Sequence, residues 1–491
     1  MQPQTVDYTR KWYVFAAVAM GIFLATIDSS IVNVALPTLV QAFDSEFAIV
    51  EWVVLAYLLT VTTLMLSMGR LGDMIGKKSI YASGFVIFTL GSALCGLAQT
   101  VYWLIGFRVL QAIGAAMILA LGMAIVTEAF PPQQRGQALG ISGSIVSVGI
   151  VIGPVLGGLL IGGLSWRWIF YVNLPVGILG ILMVARFVPN FKPAGRQRFD
   201  FLGAFTLFVA LMAFLVALTL GQGMSFSQLP VLLLFAACFV FLAIFLIVER
   251  NTSQPMIDLS LFQNRLFSIN LVTGFMTFVA LAGTTILMPF YLENVLGYAP
   301  RSVGLLLAIV PIAMGITAPI AGSLSDRVGP RPITVAGLLV LLLGFYAVST
   351  LNVQTTPLGY ILRFLPIGAG MGIFQSPNNS TIMGAAPRAR LGIASGLLAN
   401  TRTLGQTTGI AVLSALWASR VASRLGGALE GGATTAPASV QVAALHDTFI
   451  AVVVLIGLAL ALGAWGLVQE RQDRAARDWV AKPAHREDSA G

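Results

Sequence analysis

The chain is a near-continuous series of apolar stretches, each about 20 residues long, separated by short polar loops. About 20 residues at 1.5 Å per residue is what a helix needs to cross the hydrocarbon core of a bilayer. In lipid every backbone N–H and C=O must be satisfied within the segment, so such a run can only be helical. Fourteen runs fall near residues 13–35, 48–68, 79–98, 101–124, 137–162, 168–188, 199–220, 228–248, 266–291, 303–322, 332–350, 357–382, 392–416 and 446–468. The expected fold class is an all-α polytopic membrane protein with 14 transmembrane helices, its partner the lipid bilayer. Composition agrees, with 57% of the 491 residues hydrophobic and 10% charged. A soluble domain carries about 25% charged residues. Soluble enzyme, nucleic-acid binder, secreted disulfide scaffold and disordered chain are poor fits. A β-barrel would show short alternating segments instead.

The charged residues orient the spans. Twenty-one of the 28 Lys and Arg residues fall on one side of this arrangement and four on the other. The remaining three, Arg108, Arg363 and Arg402, lie within spans. By the positive-inside rule, the side rich in Lys and Arg is cytoplasmic. Both termini are then expected inside a cytoplasmic (inner) membrane. The net charge of +9 reads as this topology signal, and no nucleic acid is expected as partner. Cys95 and Cys238 lie in apolar runs and read as small hydrophobes. His446 and His485 are too scattered for a metal site. No metal and no cofactor are expected, and the first run is long enough to remain as a helix.

The sequence repeats itself. Gly69-Arg70-Leu71-Gly72-Asp73-Met74-Ile75-Gly76 recurs as Gly322-Ser323-Leu324-Ser325-Asp326-Arg327-Val328-Gly329, 253 residues later. Pro132 and Arg135 recur at Pro387 and Arg390, and Gly149 and Gly153 at Gly405 and Gly409, with offsets of 255 and 256. Two six-helix bundles of parallel orientation follow, with two inserted helices between them. The expected divisions are 1–190, 191–255 and 256–470, with a charged tail at 471–491. Parallel repeats about an axis along the membrane normal are a transporter plan, with substrate bound at the midplane between the halves.

Ionisable residues within spans are costly and point to function. Asp28 lies about 15 residues into the first span, roughly 22 Å deep. Arg108 enters from the opposite side and reaches a similar depth, so the two are candidates for proton coupling. Arg363 lies near a span end, where it can snorkel. Glu51 and Glu293 sit at outer helix ends, where plain solvation is the ordinary reading and proton release the alternative. At the cytoplasmic ends, Gly69, Arg70, Asp73, Gly76, Lys77, Glu128 and Arg135 form a candidate gating latch, with Asp73 placed to cap a helix N-terminus of the other half. Gly149, Gly153 and Gly157 share one face of the fifth span and permit close packing, and Pro154 kinks it. Asn33, Tyr57, Gln111, Asn173, Met288, Tyr291, Phe374, Gln375, Asn378, Arg402 and Gln406 are candidate substrate contacts, being polar or aromatic groups set in apolar walls.

These segments resemble the major facilitator superfamily. Gly69 to Lys78 resembles its loop 2–3 motif. Arg108-Val109-Leu110-Gln111-Ala112-Ile113-Gly114 resembles its fourth-span motif, and Gly149 to Gly158 its antiporter motif. Asp28 to Pro37 and Trp166 to Gly177 are similar to signatures of the fourteen-span drug:proton antiporter branch. The resemblance implies rocker-switch efflux of lipophilic, often cationic, small molecules in exchange for protons, by a monomer driven by the proton gradient. Ser30 stands where that branch usually has Thr. Pro330 and Pro332 depart from the loop pattern in the second half, and Asp28 is essentially the only acid within the spans. An exporter or flippase of an endogenous lipid or metabolite is the alternative on the same scaffold. A membrane enzyme would need a convergent nucleophile–base pair or a metal cluster, and ATP drive would need a phosphate loop. The sequence contains neither signal.

Overall fold

The computed structural model describes residues 10–131, 135–189, 200–223, 228–252, 259–385, 391–426 and 432–480. No strand occurs among them. The first set of helices comprises α1 (Lys11–Phe43), α2 (Phe47–Val50), α3 (Trp52–Ile75), α4 (Lys77–Leu97), α5 (Val101–Ala129), α6 (Arg135–Gly163), α7 (Trp168–Tyr171) and α8 (Asn173–Phe187). Two helices follow, α9 (Phe201–Gly223) and α10 (Leu229–Asn251). The last set comprises α11 (Arg265–Phe290), α12 (Pro300–Leu307), α13 (Ile309–Val328), α14 (Pro330–Ser349), α15 (Pro357–Ala385), α16 (Leu391–Leu425) and α17 (Ala438–Val480).

Local chemistry sets the boundaries. Gly76 separates α3 from α4 with φ of 119°, and Gly329 separates α13 from α14 with φ of 94°. Both angles lie where a side chain is strained, so glycine holds these two tight turns. The Thr100 hydroxyl caps α5 by accepting from Trp103 N, and Asn264 caps α11 by accepting from Leu266 N and Phe267 N. Pro sits in the first turn of α10, α12 and α14, where its missing N–H costs nothing.

Twelve helical segments among the described residues are long and apolar enough to cross a bilayer. The two further runs expected to span are α6 and α16. They measure 29 and 35 residues, and the described side chains of α6 include the apolar stretch Val148–Gly163. The middle of α16 carries Thr401, Arg402, Thr403, Gln406, Thr407 and Thr408. The Pro132/Pro387 pair of the repeat and the tail beyond residue 480 lie outside the described residues.

Within the first set, α1 packs on α5, α6 and α8, and α4 on α5 and α8. Within the last, α11 packs on α16 and α17, and α15 on α13 and α14. The α9–α10 pair is joined to the rest through α9, which lies against α3 and α16. Most of α10 faces outward with large apolar side chains such as Leu233, Phe239 and Ile247, as lipid contact requires.

The core is divided unequally along the membrane normal. Take the basic end as the one holding Lys77, Arg265 and Arg331. Toward that end lie two separate clusters. One is built from residues between Val14 and Val188, and includes Phe15, Tyr81 and Phe130. The other is built from residues between Leu261 and Leu397, and includes Phe267 and Ile382. Toward the far end a single cluster joins both sets, with Phe47, Val50 and Val53 beside Phe290, Tyr291 and Trp417. Phe47 meets the Phe290 ring at 4.7 Å and the Trp417 ring at 5.8 Å, both edge-on. Backbones also touch there: a Cβ on Gly304 of α12 would strike the Pro154 carbonyl of α6, and one on Gly158 would come within 2.5 Å of the Pro300 carbonyl. The helix sets are fused at the far end.

Candidate functional site

Asp28 and Arg108, expected at similar depth, form an ion pair with Nη1 to Oδ2 at 2.6 Å. Asp28 is 0% exposed and Arg108 1%. The other carboxylate oxygen accepts from Gln111 Nε2 and from Asn173 Nδ2, each at 2.8 Å. Both amides also reach Ser92 Oγ, at 3.1 and 3.0 Å, and Ser92 donates to the Phe170 carbonyl. Arg108 Nε donates to the Val53 carbonyl at 3.1 Å, and Nη1 to Gln111 Oε1 at 2.7 Å. Its guanidinium lies 4.0 Å from the Tyr57 ring centroid, a favourable face for a cation. Six helices thus supply one closed polar cage. Every group reaching Asp28 in this cage is a donor, so the geometry suits an ionised carboxylate. A proton placed on Asp28 removes the negative charge that Arg108 is paired with.

Small residues make the cage possible. A Cβ on Gly91 would come within 2.6 Å of the Gln111 backbone, so α4 and α5 approach closely enough for Ser92 to meet Gln111. Gly177 sits against Thr89, which draws α8 and Asn173 onto α4. Gln111, Asn173 and Tyr57 were expected as substrate contacts, and the structure places them around Asp28 and Arg108. Ser92 escaped the sequence reading, because a serine in an apolar helix carries no signal of its own. Cys95, read as a plain hydrophobe, has its thiol 3.7 Å from Gln111 Oε1.

The glycine helix α6 lies directly on α1 beside this cage. Gly149 faces Thr26, Gly153 faces Ser30 and Gly157 faces Ile31, residues that bracket Asp28. Ser30 Oγ also lies 3.2 Å from the Gly149 carbonyl. Pro154 is inside α6, where it frees a carbonyl partner.

At the basic end, Lys77 and Glu128 form an ion pair between α4 and α5. Gly69 faces Ala120, and Gly72 faces Leu121. The side chains of Arg70, Asp73 and Arg135 lie outside the described residues, and so does the expected capping by Asp73.

The remaining expected contacts divide in two. Met288, Tyr291 and Phe374 are each at most 1% exposed and belong to the far-end core. Their side chains are packed against neighbours in this conformation. Tyr291 donates to the Asn352 carbonyl at 2.7 Å. Asn378 is buried beside Gly274. Asn33, Gln375, Arg402 and Gln406 are half-buried. Arg402 lies 6.0 Å from the Phe278 ring, with no carboxylate against it among the described residues. Arg363 is held near its helix end by Thr350 and the Gly359 carbonyl. Glu51, expected to be solvated, is 0% exposed and meets Ser414 of α16. It starts α3 beneath the Phe47–Trp417 contact, so the helix end is covered by the other helix set.

Residues 18–410 match the family model described as Major Facilitator Superfamily. The riboflavin transporter RibZ of Clostridioides difficile is 35% identical over 83% of this chain and 89% of its own length. The multidrug transporter MdtP of Bacillus subtilis is 31% identical over 84% of this chain and 76% of its own. The multidrug resistance protein Stp of Mycobacterium tuberculosis is 34% identical over 83% of this chain and 76% of its own. A bacterial homolog of the human lysosomal transporter Spinster, solved inward-facing and unoccupied, shares the fold. Its TM-score is 0.65 at 19% identity, over 93% of this chain and 97% of its own. The chain is a multi-pass membrane transporter, not an enzyme, and it belongs to the Major Facilitator Superfamily.

Proposed function

We propose that this transporter exports lipophilic small molecules in exchange for protons, and that Asp28 is the proton-carrying group. One observation carries the reading: a carboxylate sealed at membrane depth whose hydrogen-bond partners are all donors. Protonation there cancels the charge that holds Arg108, which weakens the pair and frees the helices carrying those groups to shift. Such a site has two discrete arrangements set by one proton, which is what coupling requires. The MdtP and Stp relatives carry multidrug names, which supports drug-like substrates.

The topology belongs to the same proposal. Helices α6 and α16, roughly 43 and 52 Å long at 1.5 Å per residue, complete fourteen spans. The basic end is cytoplasmic and holds both termini in the inner membrane. The parallel halves are 1–190 and 256–470, the inserted pair lies between them, and the working unit is a monomer. The two halves rock about the midplane, with the Lys77–Glu128 pair part of a latch at the cytoplasmic end.

Charge favours neutral or anionic substrates over cations, because Asp28 is already matched by Arg108 and Arg402 adds a cation. A second reading, export of an endogenous metabolite such as a flavin, is favoured by the RibZ relative. Transport into proteoliposomes under an imposed pH gradient tests both. Wild type is compared with Asp28→Asn, using riboflavin, a fluorescent lipophilic cation and an uncharged dye. Gradient-driven movement of any probe, abolished in Asp28→Asn, is the expected result. Undiminished movement in the variant refutes coupling through Asp28.

A further inference from the structure

The apolar core of the second helix set is interrupted at one level on three helices. On α11, Leu271 belongs to the basic-end cluster and Phe278 to the far-end cluster. On α15 the corresponding pair is Ile382 and Phe374, and on α16 it is Leu397 and Ile410. Between these pairs lie Gly274 on α11, Asn378 on α15, and Arg402 with Gln406 on α16. At 1.5 Å per residue, Arg402 stands roughly 17 Å from the start of α16 and Phe278 roughly 20 Å from the start of α11. Both helices begin at the basic end, so the two residues share a level. The Asp28 mechanism uses none of these groups.

The polar side chains in this gap lack partners. Arg402 is half-buried and makes no hydrogen bond or ion pair among the described residues; its guanidinium lies 6.0 Å from the Phe278 ring. Gln406 follows one turn later on the same side of α16, half-buried and likewise without a hydrogen bond among the described residues. Asn378 is 2% exposed, and its Oδ1 has no hydrogen-bond partner among them. Its Nδ2 lies 3.3 Å from where a Cβ on Gly274 would stand. Gly274 and Phe278 are one turn apart on one face of α11, so Asn378 and Arg402 border the same turn. Nearby threonines are closed on their own helix: Thr403 donates to the Ala399 carbonyl and Thr407 to the Thr403 carbonyl. The Asp28 cage shows the opposite pattern, with its donors matched. Buried polar groups in native proteins are almost all hydrogen-bonded, so a cluster of unmatched ones points to something bound there.

A guanidinium offers donors only and cannot shed its charge. Its planar fork matches a carboxylate with two parallel hydrogen bonds. Among the described residues no carboxylate lies against Arg402 to take that place. The amides of Gln406 and Asn378 add donors for an anion and acceptors for an N–H or hydroxyl beside it. The Phe278 ring supplies an apolar wall for the rest of the molecule. We infer that Arg402, Gln406 and Asn378 bind the carboxylate end of an amphipathic organic anion, which is the exported substrate.

This rests on the reading that the chain exports small molecules, and it narrows their class to organic carboxylates. The position suits loading. Toward the basic end the two helix sets form separate clusters, and they join only at the far end. Arg402 sits where the separate clusters give way to the joined one, so an anion approaches it from the basic end. Charge then aids export. A carboxylate leaving an interior-negative cell and a proton entering it both move with the membrane potential. A monovalent cation leaving against one proton would gain nothing from that potential.

The test is equilibrium binding to the full chain in lipid nanodiscs, at neutral pH and without a gradient. The probes are dansylglycine, a carboxylate with an N–H beside it, and the uncharged dansylglycinamide. Binding is read from dansyl fluorescence, with empty nanodiscs subtracted. Wild type is expected to bind the carboxylate saturably and about tenfold more tightly than the amide, the worth of one charge-assisted hydrogen bond. Arg402→Gln is expected to lose that preference and leave amide binding unchanged. It should fold, because Arg402 gives up no hydrogen bond among the described residues. Arg402→Lys, with the charge but not the fork, should keep part of the preference. Equal affinity for the two probes in wild type overturns the proposal, and so does the absence of saturable carboxylate binding. An Arg402→Gln variant that retains the preference, or that loses both probes together, overturns it as well. Asp28→Asn should keep the full preference, and with no gradient applied a failure of proton coupling through Asp28 does not alter these readings.

Discussion

The Asp28–Arg108 pair is open to a double-mutant cycle whose outcome the cage geometry dictates. Replacing Asp28 with Leu removes the acceptor for three donors: Arg108 Nη1, Gln111 Nε2 and Asn173 Nδ2. The two amides retain Ser92 Oγ as an acceptor, so their loss is partial. Arg108 retains only neutral acceptors, Gln111 Oε1 and the Val53 carbonyl, for a full charge at 1% exposure. Stranding one member of a buried pair costs about 3–5 kcal/mol, and Asp28→Leu belongs at the upper end. Arg108→Met strands the carboxylate instead, which keeps two amide donors and can take up a proton. A guanidinium cannot shed its charge. Arg108→Met is therefore expected at the lower end, and its cost shrinks as pH falls, because folding of that variant takes up the proton.

The double variant leaves no buried charge in the cage. Replacing both members of a buried pair by apolar groups is often neutral or stabilising, so it should cost less than either single change. The coupling energy should then exceed about 3 kcal/mol. Unfolding in mixed micelles by SDS titration, followed by helical circular dichroism, measures all four corners. Costs that simply add, or a double variant worse than both singles, would show that the pair is not the energetic unit of the cage.

Two further outcomes follow from local geometry. Gly76→Ala and Gly329→Ala each force a side chain into a positive-φ turn, at about 1–3 kcal/mol. Gly106→Ala, in a helix where an added Cβ meets nothing, should be neutral or slightly stabilising; the same SDS titration ranks the three. The Lys77–Glu128 pair is partly exposed, with side chains at 15% and 36%. Glu128→Gln should therefore cost under about 1 kcal/mol, and the difference should vanish in high salt when melting midpoints are compared.

How much of this was legible beforehand depends on the kind of information required. Depth along a helix follows from a fixed rise per residue, so Asp28 and Arg108 could be placed at one level from residue counts alone. Azimuth could not. A helix that is apolar on all sides gives no sign of which face meets lipid, core or cavity. Met288, Tyr291 and Phe374 could be recognised as candidate contacts, but their packing in the far-end core of this conformation could not be read from the sequence. Gln111 and Asn173 were recognised as polar, but their target depends on helix rotation set by Gly91 and Gly177. Glu51 was misjudged because its solvation depends on α16, more than 360 residues away in sequence. The count of spans was clear wherever composition was uniformly apolar. It was less clear in α16, whose threonines, Gln406 and Arg402 dilute the pattern.

The placement of α6 ties these observations together. One face of this helix carries Gly149, Gly153 and Gly157 against Thr26, Ser30 and Ile31 of α1. With no Cβ in the way, the contact has little slack: an added carbon at Gly153 would overlap Ser30 Oγ. Another part of α6, the Pro154 carbonyl and Gly158, bears on Gly304, Pro300 and Arg301 of the other half. Close-packed contacts transmit displacement because they cannot compress. A shift of α1 that follows a change at Asp28 must therefore move α6, and α6 cannot move without pressing on or releasing α12. The cage holds the buried Asp28–Arg108 pair, and the far-end interface joins the two helix sets. A glycine helix touching both gives the first a mechanical hold on the second, and Pro154, whose carbonyl meets Gly304, belongs to that second contact.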